Sequence, residues 1–193
     1  MNCAVLDLET TDLHAVGGGF ILCAVVKPLR GKPIVFRYDE MHCRAFHEKR
    51  LVQALTDEMS KYHLWIGHNI DRFDFNFLRS RAVILGVPFP VQPMLYDTML
   101  AFKRLGYLTV ANPATGKPRA NLDHVADFFN IPQLKTKVGY PNAHWRTVWG
   151  TGKERGEAMD SLADHCVRDT IMTQMIYERE LPVDPVWGLR RKR

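Results

Sequence analysis

The sequence predicts an α/β fold in which a mixed β-sheet is covered by helices on both faces. Three short apolar runs come first, at 3–9, 20–28 and 32–38, and the tight connections between them are typical of an antiparallel meander. Helical patterns and two further strand-like runs follow. Strands that lead and helices that follow in this way favour a sheet with helices packed against it.

The three leading strands are delimited by acids, glycines and a proline turn. The run 3–9 is apolar and ends in acidic residues, which predicts a buried strand that stops at a functional edge. Glycines at 17–19 break the chain before the strand at 20–28. The sequence at 30–33 predicts the turn into the third strand at 32–38.

The rest of the chain alternates between helices and short strands. The predicted elements are a helix over 45–61, a strand at 63–69, a helix near 71–85, a strand that breaks at Asp97 into a helix within 91–105, a helix over 122–129 and a long helix from about 154 to 180. Asn121 is predicted to cap the helix at 122–129. Residues 106–120 predict a loop or hairpin excursion, and residues 133–153 predict irregular chain.

The length of 193 residues suits one domain, which we expect over 1–182, followed by a basic tail at 183–193. Four basic residues at 190–193 supply four of the five net positive charges. The remainder is therefore not a basic body that would clamp duplex DNA by charge alone. We expect the tail to be solvated, with at most weak affinity for phosphate.

Membrane and disulfide-rich classes do not fit the sequence. No apolar run reaches the roughly 18 residues needed to span a bilayer, and the N-terminus is acidic where a secretory signal would be basic and then apolar. Cys3, Cys23, Cys43 and Cys166 form no C-x-x-C pair, which argues against a zinc ribbon or a disulfide framework. We expect a cytoplasmic protein with free thiols.

Asp7 and Glu9 lie two positions apart at the end of the first predicted strand. Residues i and i+2 of a strand point to the same face, so these two carboxylates would repel each other and be costly to bury. A hard divalent cation removes that cost, because Mg²⁺ and Mn²⁺ favour carboxylate and water oxygens. Alone, the pattern is common, and exposed acids at a strand end explain it more simply.

A second acidic segment lies in the middle of the chain, at 67–78. Asn69 is at a predicted strand-to-helix junction, where its amide could cap the helix or meet a substrate. Asp74 follows Phe73 in a helix that is otherwise rich in apolar residues. In isolation the segment is equally consistent with a capped helix whose aspartate faces solvent.

The third segment is the apolar-patterned helix at 160–178. His165 and Asp169 are four residues apart and so share one face of that helix. A single histidine on a helix is more often structural than catalytic, and Asp169 could pair with a nearby arginine.

Together the three segments form the ordered pattern D-x-E, N-x-x-x-F-D and H-x-x-x-D. This ordered set resembles the DEDD 3′→5′ exonuclease superfamily, the ribonuclease-H-like exonucleases that include the proofreading domains of DNA polymerases. The resemblance covers about residues 3–178, in which 96–98 and 121–126 look like the family's connecting segments. It implies a ribonuclease-H-like mixed sheet and a 3′→5′ exonuclease, which is a phosphodiester hydrolase.

The resemblance implies two Mg²⁺ or Mn²⁺ cofactors about 3.5–4 Å apart. Asp7 would bridge the two ions, Glu9 and Asp169 would complete one site, and Asp74 would act on the other mainly through a coordinated water. One ion would polarise the attacking water and the other would neutralise charge at the leaving 3′ oxygen.

His165 departs from the family pattern. One subclass has Y-x-x-x-D in the third motif and the other has H-x-x-x-x-D, whereas this chain combines the histidine of one with the spacing of the other. A shift of one residue turns a side chain by about 100° around a helix, so this imidazole leaves the helix in a different direction from the histidine of the family pattern. His165 is predicted as the general base or water-orienting group. The alternative is a packed residue that leaves activation to the metals.

Five residues are predicted to contact the substrate. Thr10 and Thr11 could present backbone N–H or hydroxyl groups to the terminal nucleotide, Leu13 could pack on its base, and Asn69 and Phe73 would line the path of the strand. The segment 135–146 interleaves cations with flat rings. That composition is used to hold single strands, although a basic surface loop explains it as well.

The sequence thus predicts a nuclease that releases nucleoside monophosphates from DNA 3′ ends, preferably single-stranded, in a bacterial or phage-infected cell. It could proofread or process ends in trans, with a separate polymerase or replication protein as partner. An exoribonuclease that trims RNA, a related endonuclease and a non-catalytic nucleic-acid-binding or polymerase-docking module are the alternatives. Four retained carboxylates favour an enzyme, because unpaired buried acids cost stability.

Overall fold

The computed structural model describes residues 2–90, 93–104, 116, 119–134, 143–182 and 189–190. In chain order its elements are β1 (Cys3–Thr10), β2 (Ile21–Pro28), β3 (Ile34–Arg37), α1 (Lys49–Met59), β4 (Leu64–Gly67), α2 (Asp74–Leu85), β5 (Met94–Asp97), α3 (Thr98–Arg104), α4 (Leu122–Phe128), α5 (Ala143–Trp149), α6 (Gly152–Glu180) and β6 (Leu189–Arg190).

The strands form one mixed sheet in the order β3-β2-β1-β4-β5-β6. β1 pairs antiparallel with β2 and parallel with β4, and β2 pairs antiparallel with β3. The predicted meander of three strands with two further strands is therefore confirmed. The structure adds β6, which pairs antiparallel with β5 inside the segment predicted as a tail. A pairing of two residues is too short to show a strand pattern in the sequence.

The side chains of β1 alternate between the two faces of the sheet, and helices pack on each face. Leu6 and Leu8 point to the face on which α1 and α2 pack, and they belong to the largest buried cluster. Val5 points to the opposite face, where Tyr177 of α6 packs. Because the period of a strand is two, Asp7 and Glu9 also point to the α6 face. The predicted helices on both faces of the sheet are confirmed.

Several predicted helix boundaries differ from the structure. The region 133–153 was predicted to be irregular, and this is wrong for 143–149, where α5 packs against α6. A seven-residue helix has little stability of its own and depends on such tertiary packing, which its sequence does not reveal. α1 and α2 begin later than predicted. Asn121 precedes α4, but its side chain makes no capping hydrogen bond. Most of the predicted excursion at 106–120 lies outside the described residues.

No helix in the part of the chain that the structure describes is both long enough and apolar enough to cross a membrane.

Glu180, at the C-terminal end of α6, is a buried carboxyl group that should make stability depend on pH. Burial raises the pKa of Glu180 to about 9, the nearby hydroxyl of Tyr96 opposes this rise, and the carboxylate of Asp97 adds to it. Between its ordinary pKa of 4.5 and about 9, the folded protein keeps a proton that the unfolded chain has lost. The free energy of unfolding should therefore fall as pH rises through this window, by at most about 1.4 kcal/mol per pH unit from this group.

We expect Glu180→Gln, which keeps the neutral shape, to raise Tm more at pH 8.5 than at pH 5. Thermal denaturation of both proteins across this range measures the difference. The exposed substitution Glu178→Gln is the matched control, because a solvated carboxylate has no such penalty. A Tm difference for Glu180→Gln that does not change with pH would contradict the prediction.

Candidate active site

β1 supplies two carboxylates at the centre of the sheet. Asp7 stands opposite Val25 and Glu9 opposite Cys23 in the β1–β2 ladder, and a register shift follows between Glu9 and Thr10. Such irregularities end regular pairing and are common beside functional sites. The two acidic side chains therefore point to one face at the point where the central strand stops.

Asp74 of α2 is held near these two carboxylates by a hydrogen bond to the backbone of β1. The pairing of β1 with β4 extends only to Val5 opposite Ile66, which leaves the later amides on that side of β1 without a strand partner. Asp74 Oδ1 accepts a hydrogen bond of 3.1 Å from the N–H of Leu8. Asp74 is buried and is the first residue of α2, so helix and strand are joined at the site.

A buried aspartate fixes the turn that aims Asp74. Asp97, at the end of β5, accepts hydrogen bonds from the N–H groups of Asn69 (3.1 Å), Asp71 (3.4 Å) and Leu100 (3.0 Å). Asn69 has a φ of +68°, a left-handed conformation that asparagine tolerates better than most residues. Asp97 thus holds the chain between β4 and α2. The sequence pattern identified it only as part of a connecting segment.

α6 carries the third motif across the site. His165 Nε2 lies 3.8 Å from Glu9 Oε1 and 3.8 Å from Asp169 Oδ2. Cys166, buried beside them, donates its S–H to the backbone carbonyl of Asp7 at 3.3 Å. The long helix is therefore joined to β1 next to the carboxylates, and the two third-motif residues share one face as predicted.

A second histidine reaches the same carboxylate. His144 of α5 donates from Nε2 to Glu9 Oε2 at 2.9 Å, and its side chain is partly exposed. Glu9 thus lies between two imidazoles, one from α5 and one from α6. From the sequence, His144 belongs only to the basic and aromatic segment 135–146, predicted to hold a single strand or to be a basic surface loop, and most of that segment lies outside the described residues. Neither its periodicity nor its neighbours indicated a contact with a residue 135 positions away.

The acidic side chains lie close enough together to raise one another's pKa values. Burial raises the pKa of Asp7 well above its ordinary range, and the carboxylates of Asp74, Glu9 and Asp169 raise it further. Burial also raises the pKa of Asp74 to about 7, although the backbone N–H groups of Asp74 and Leu8 lower it, and Asp97 and Glu9 add to the rise. Like charges held together in this way favour binding of a cation or a proton.

The predicted substrate residues divide into two groups. The hydroxyl of Thr10 donates to the carbonyl of Asp12 at 2.7 Å, and the hydroxyl of Thr11 accepts from the N–H of Phe20 at 3.1 Å. Both hydroxyls therefore form hydrogen bonds with the loop between β1 and β2. Within the described part of the chain, the other three make no such loop contacts. Leu13 and Phe73 both line a cleft of about 160 Å³, and Phe73 is followed in the chain by Asp74. The side-chain oxygen of Asn69 is buried with no hydrogen-bond partner among the described residues.

Residues 4–180 match the family model of the RNase H superfamily. The chain belongs to the RNase H superfamily. The predicted ribonuclease-H-like fold is thereby confirmed. None of the curated proteins matches the chain.

Solved structures share the RNase H superfamily fold of this chain at low sequence identity. The family B DNA polymerase of the hyperthermophilic archaeon Pyrobaculum calidifontis aligns with a TM-score of 0.71 and 18% identity over 94% of this chain and 25% of its own. E. coli exonuclease I in complex with a dA13 oligonucleotide aligns with a TM-score of 0.52 and 13% identity, over 94% of this chain and 41% of its own. The same exonuclease with a dT13 oligonucleotide gives a TM-score of 0.55 and 12% identity, over 95% and 41%. The chain thus spans about a quarter of the polymerase and two fifths of exonuclease I, and the likeness concerns the fold.

The carboxylates of this RNase H superfamily chain fit a hard divalent cation by their chemistry. Mg²⁺ and Mn²⁺ favour carboxylate oxygens, and the mutual repulsion around Asp7 is what such a cation would offset. As the side chains stand, no three Asp, Glu, His or Cys residues of the described ranges form a group that could hold a metal. Glu9 is directed at His144 and His165, and Asp74 at the amide of Leu8. The acids would therefore have to converge when a cation binds.

Proposed function

We propose that the chain is a two-metal-ion-dependent 3′→5′ exonuclease that releases nucleoside monophosphates from single-stranded DNA. One observation carries this proposal: β1, α2 and α6 bring Asp7, Glu9, Asp74 and Asp169 into one electrostatic field at the end of the central strand. A fold that needed these acids only for solubility would expose them separately. Here burial raises the pKa of Asp7 and Asp74 instead.

In the proposed mechanism the four carboxylates would hold the cations: Asp7 would help to hold both, Glu9 and Asp169 one of them, and Asp74 the other. When bound, two divalent ions would supply Lewis acidity to the phosphodiester and lower the pKa of water. His165 Nε2, 3.8 Å from Glu9 and from Asp169, takes the proton of the attacking water. The packing of α2 and α6 on β1 fixes the backbone positions of these groups before substrate arrives, and the carboxylate side chains would converge when a cation binds.

The terminal nucleotide would occupy the cleft between Leu13 and Phe73. Leu13 is 75% exposed, and an exposed leucine beside an aromatic ring offers an apolar surface for a base. Asn69, whose side-chain oxygen is buried without a partner among the described residues, is placed to accept a hydrogen bond from the strand. Exonuclease I, which shares the fold, was solved with dA13 and dT13 oligonucleotides, and this favours a single DNA strand as substrate.

The test is hydrolysis of a 5′-labelled single-stranded DNA with Mg²⁺ or Mn²⁺. A 3′→5′ exonuclease should produce a ladder that shortens from the full length, and it should leave circular single-stranded DNA uncut. Cleavage of the circle would indicate an endonuclease. Faster cleavage of RNA of the same sequence would make RNA the substrate. No cleavage of either polymer would refute the enzyme and leave the binding module.

The two histidines should differ in their effects on rate. We expect His165→Ala to lower kcat about a hundredfold, because it removes the proposed proton acceptor. His144→Ala, the matched control on the same carboxylate, should cost about tenfold, because it removes only a hydrogen bond that orients Glu9. Single-turnover kinetics at saturating Mg²⁺ measures both. A larger loss for His144→Ala than for His165→Ala would reverse the two assignments.

A further inference from the structure

The chain between β3 and α1 lies at the same end of the sheet as the carboxylates. Glu9, near the end of β1, pairs with Cys23 of β2, and Cys23 pairs on its other side with Arg37, the last residue of β3. The chain that leaves β3 therefore emerges beside the candidate active site. The β2–β3 turn at 29–33 lies at the opposite end of the same strands.

The end of the β3–α1 connection and the first residues of α1, residues 41–50, are here called the basic segment and carry more positive than negative charge. Arg44, Lys49 and Arg50 are exposed, and among the described residues none of them forms an ion pair. The neighbouring acids contact other cations: Asp39 and Glu40 share Arg37 with Asp160, and Glu48 pairs with Arg81 in the interior. Exposed His47 lies between Arg44 and Lys49 in the chain, and exposed His42 precedes Arg44.

The basic segment has a defined conformation. A bridge joins Arg44 and His47, and His42 and Phe46 adopt φ values of +50° and +60°, which are uncommon for residues other than glycine. Such conformations persist only when the surroundings enforce them. The guanidinium of Arg81 donates to the carbonyl of Phe46 at 3.2 Å, and the ring of Phe46 packs on that of Phe20 with centroids 5.1 Å apart.

The same arginine connects the basic segment to the cleft. Arg81 also donates to the carbonyl of Ala15 at 3.3 Å, and Ala15 and Val16 line the wall of the cleft that Leu13 begins. The ring of Phe46 lies next to Gly18 of the same loop. The exposed side chains of Val16, in the wall of the cleft, and of Phe46, in the basic segment, thus form an apolar surface between the cleft and the cations.

We propose that the basic segment binds the phosphates of the single strand whose 3′ end occupies the carboxylate site. This inference rests on the proposed function and adds the route by which the DNA strand leaves the cleft. Arg44, Lys49 and Arg50 would contact phosphates, so binding would not depend on base sequence. The half-exposed ring of Phe46 would support a base by stacking.

The experiment compares two variants that each remove one arginine and one lysine. Arg44→Gln/Lys49→Gln changes the basic segment, and Arg30→Gln/Lys32→Gln changes the exposed β2–β3 turn at the far end of the sheet. Binding of a labelled single-stranded 20-mer is measured by fluorescence anisotropy in EDTA at several KCl concentrations. The magnitude of the slope of log K against log [salt] should fall by about 1.4 in the first variant, about 0.7 per lost contact, and stay unchanged in the second. Affinity near 0.1 M salt should fall about tenfold or more in the first variant only.

Steady-state hydrolysis gives a second readout. In the first variant KM for the 20-mer should rise with kcat unchanged, and hydrolysis of a trinucleotide, too short to reach the segment, should not change. Equal salt slopes for the two variants and the wild type would overturn the proposal, even if the enzyme is active. A reduced slope in a protein that hydrolyses nothing would keep the binding surface and refute the exonuclease.

Discussion

Asp7→Asn is expected to abolish hydrolysis and, at the same time, to raise the stability of the metal-free protein. The carboxylates of Asp74, Glu9 and Asp169 raise the pKa of Asp7, and in the proposed mechanism Asp7 would help to hold both cations. Loss of several kcal/mol of transition-state stabilisation corresponds to at least a thousandfold lower kcat/KM. The amide keeps the shape of the side chain and removes a buried charge that its neighbours repel, so the folded state gains stability.

The measurements are initial rates on 5′-labelled DNA and Tm in EDTA and in Mn²⁺. The wild type should show a metal-dependent rise in Tm, which Asp7→Asn should lose. Asp57→Asn, an exposed acid on α1, is the matched control and should alter neither rate nor Tm appreciably. If Asp7→Asn keeps a rate within tenfold of the wild type, the carboxylate cluster is not the catalytic centre. If the Tm of Asp7→Asn in EDTA falls below that of the wild type, Asp7 stabilises the metal-free protein, contrary to the prediction.

Arg81→Met should cause the largest loss of stability among the substitutions considered. Arg81 is buried and donates to both oxygens of Glu48 at 2.6 and 2.9 Å, and the side chain of Glu48 is fully buried. The substitution leaves that carboxylate without its cation, a change that typically costs about 3–5 kcal/mol. The carbonyls of Ala15 and Phe46 lose their donor as well. Urea denaturation measures the free energy of unfolding.

Two comparisons separate the buried charge from the loss of packing. Glu48→Gln/Arg81→Met removes both charges and should recover a large part of the loss. Lys153→Met breaks the exposed pair with Glu157 on α6 and should cost less than about 1 kcal/mol. The interpretation fails if Arg81→Met costs no more than Lys153→Met, or if the double variant is as unstable as Arg81→Met.

The periodicity of the sequence was enough to predict those parts of the site in which both residues lie in the same strand or the same helix. The two-residue period of a strand is enough to put Asp7 and Glu9 on one face, and the helical period is enough to put His165 and Asp169 on one face. The order of the three motifs also indicated the fold, through its resemblance to the DEDD exonucleases. The roles of these residues stay predictions that the experiments above test.

Only the tertiary structure decided the contacts between segments far apart in the chain. Asp97 holds the turn before α2 through backbone amides 26 and 28 residues away, and nothing in its own neighbourhood signals those bonds. His144 reaches Glu9 because the short helix α5 packs on α6, a stabilisation that does not appear as a pattern in seven residues. The basic segment lies at the same end of the sheet as the site because β3 runs antiparallel to β2 and ends beside Cys23, which pairs on its other side with Glu9. Sequence patterns specify the faces of single elements, whereas which faces meet depends on strand pairing and burial across the whole core.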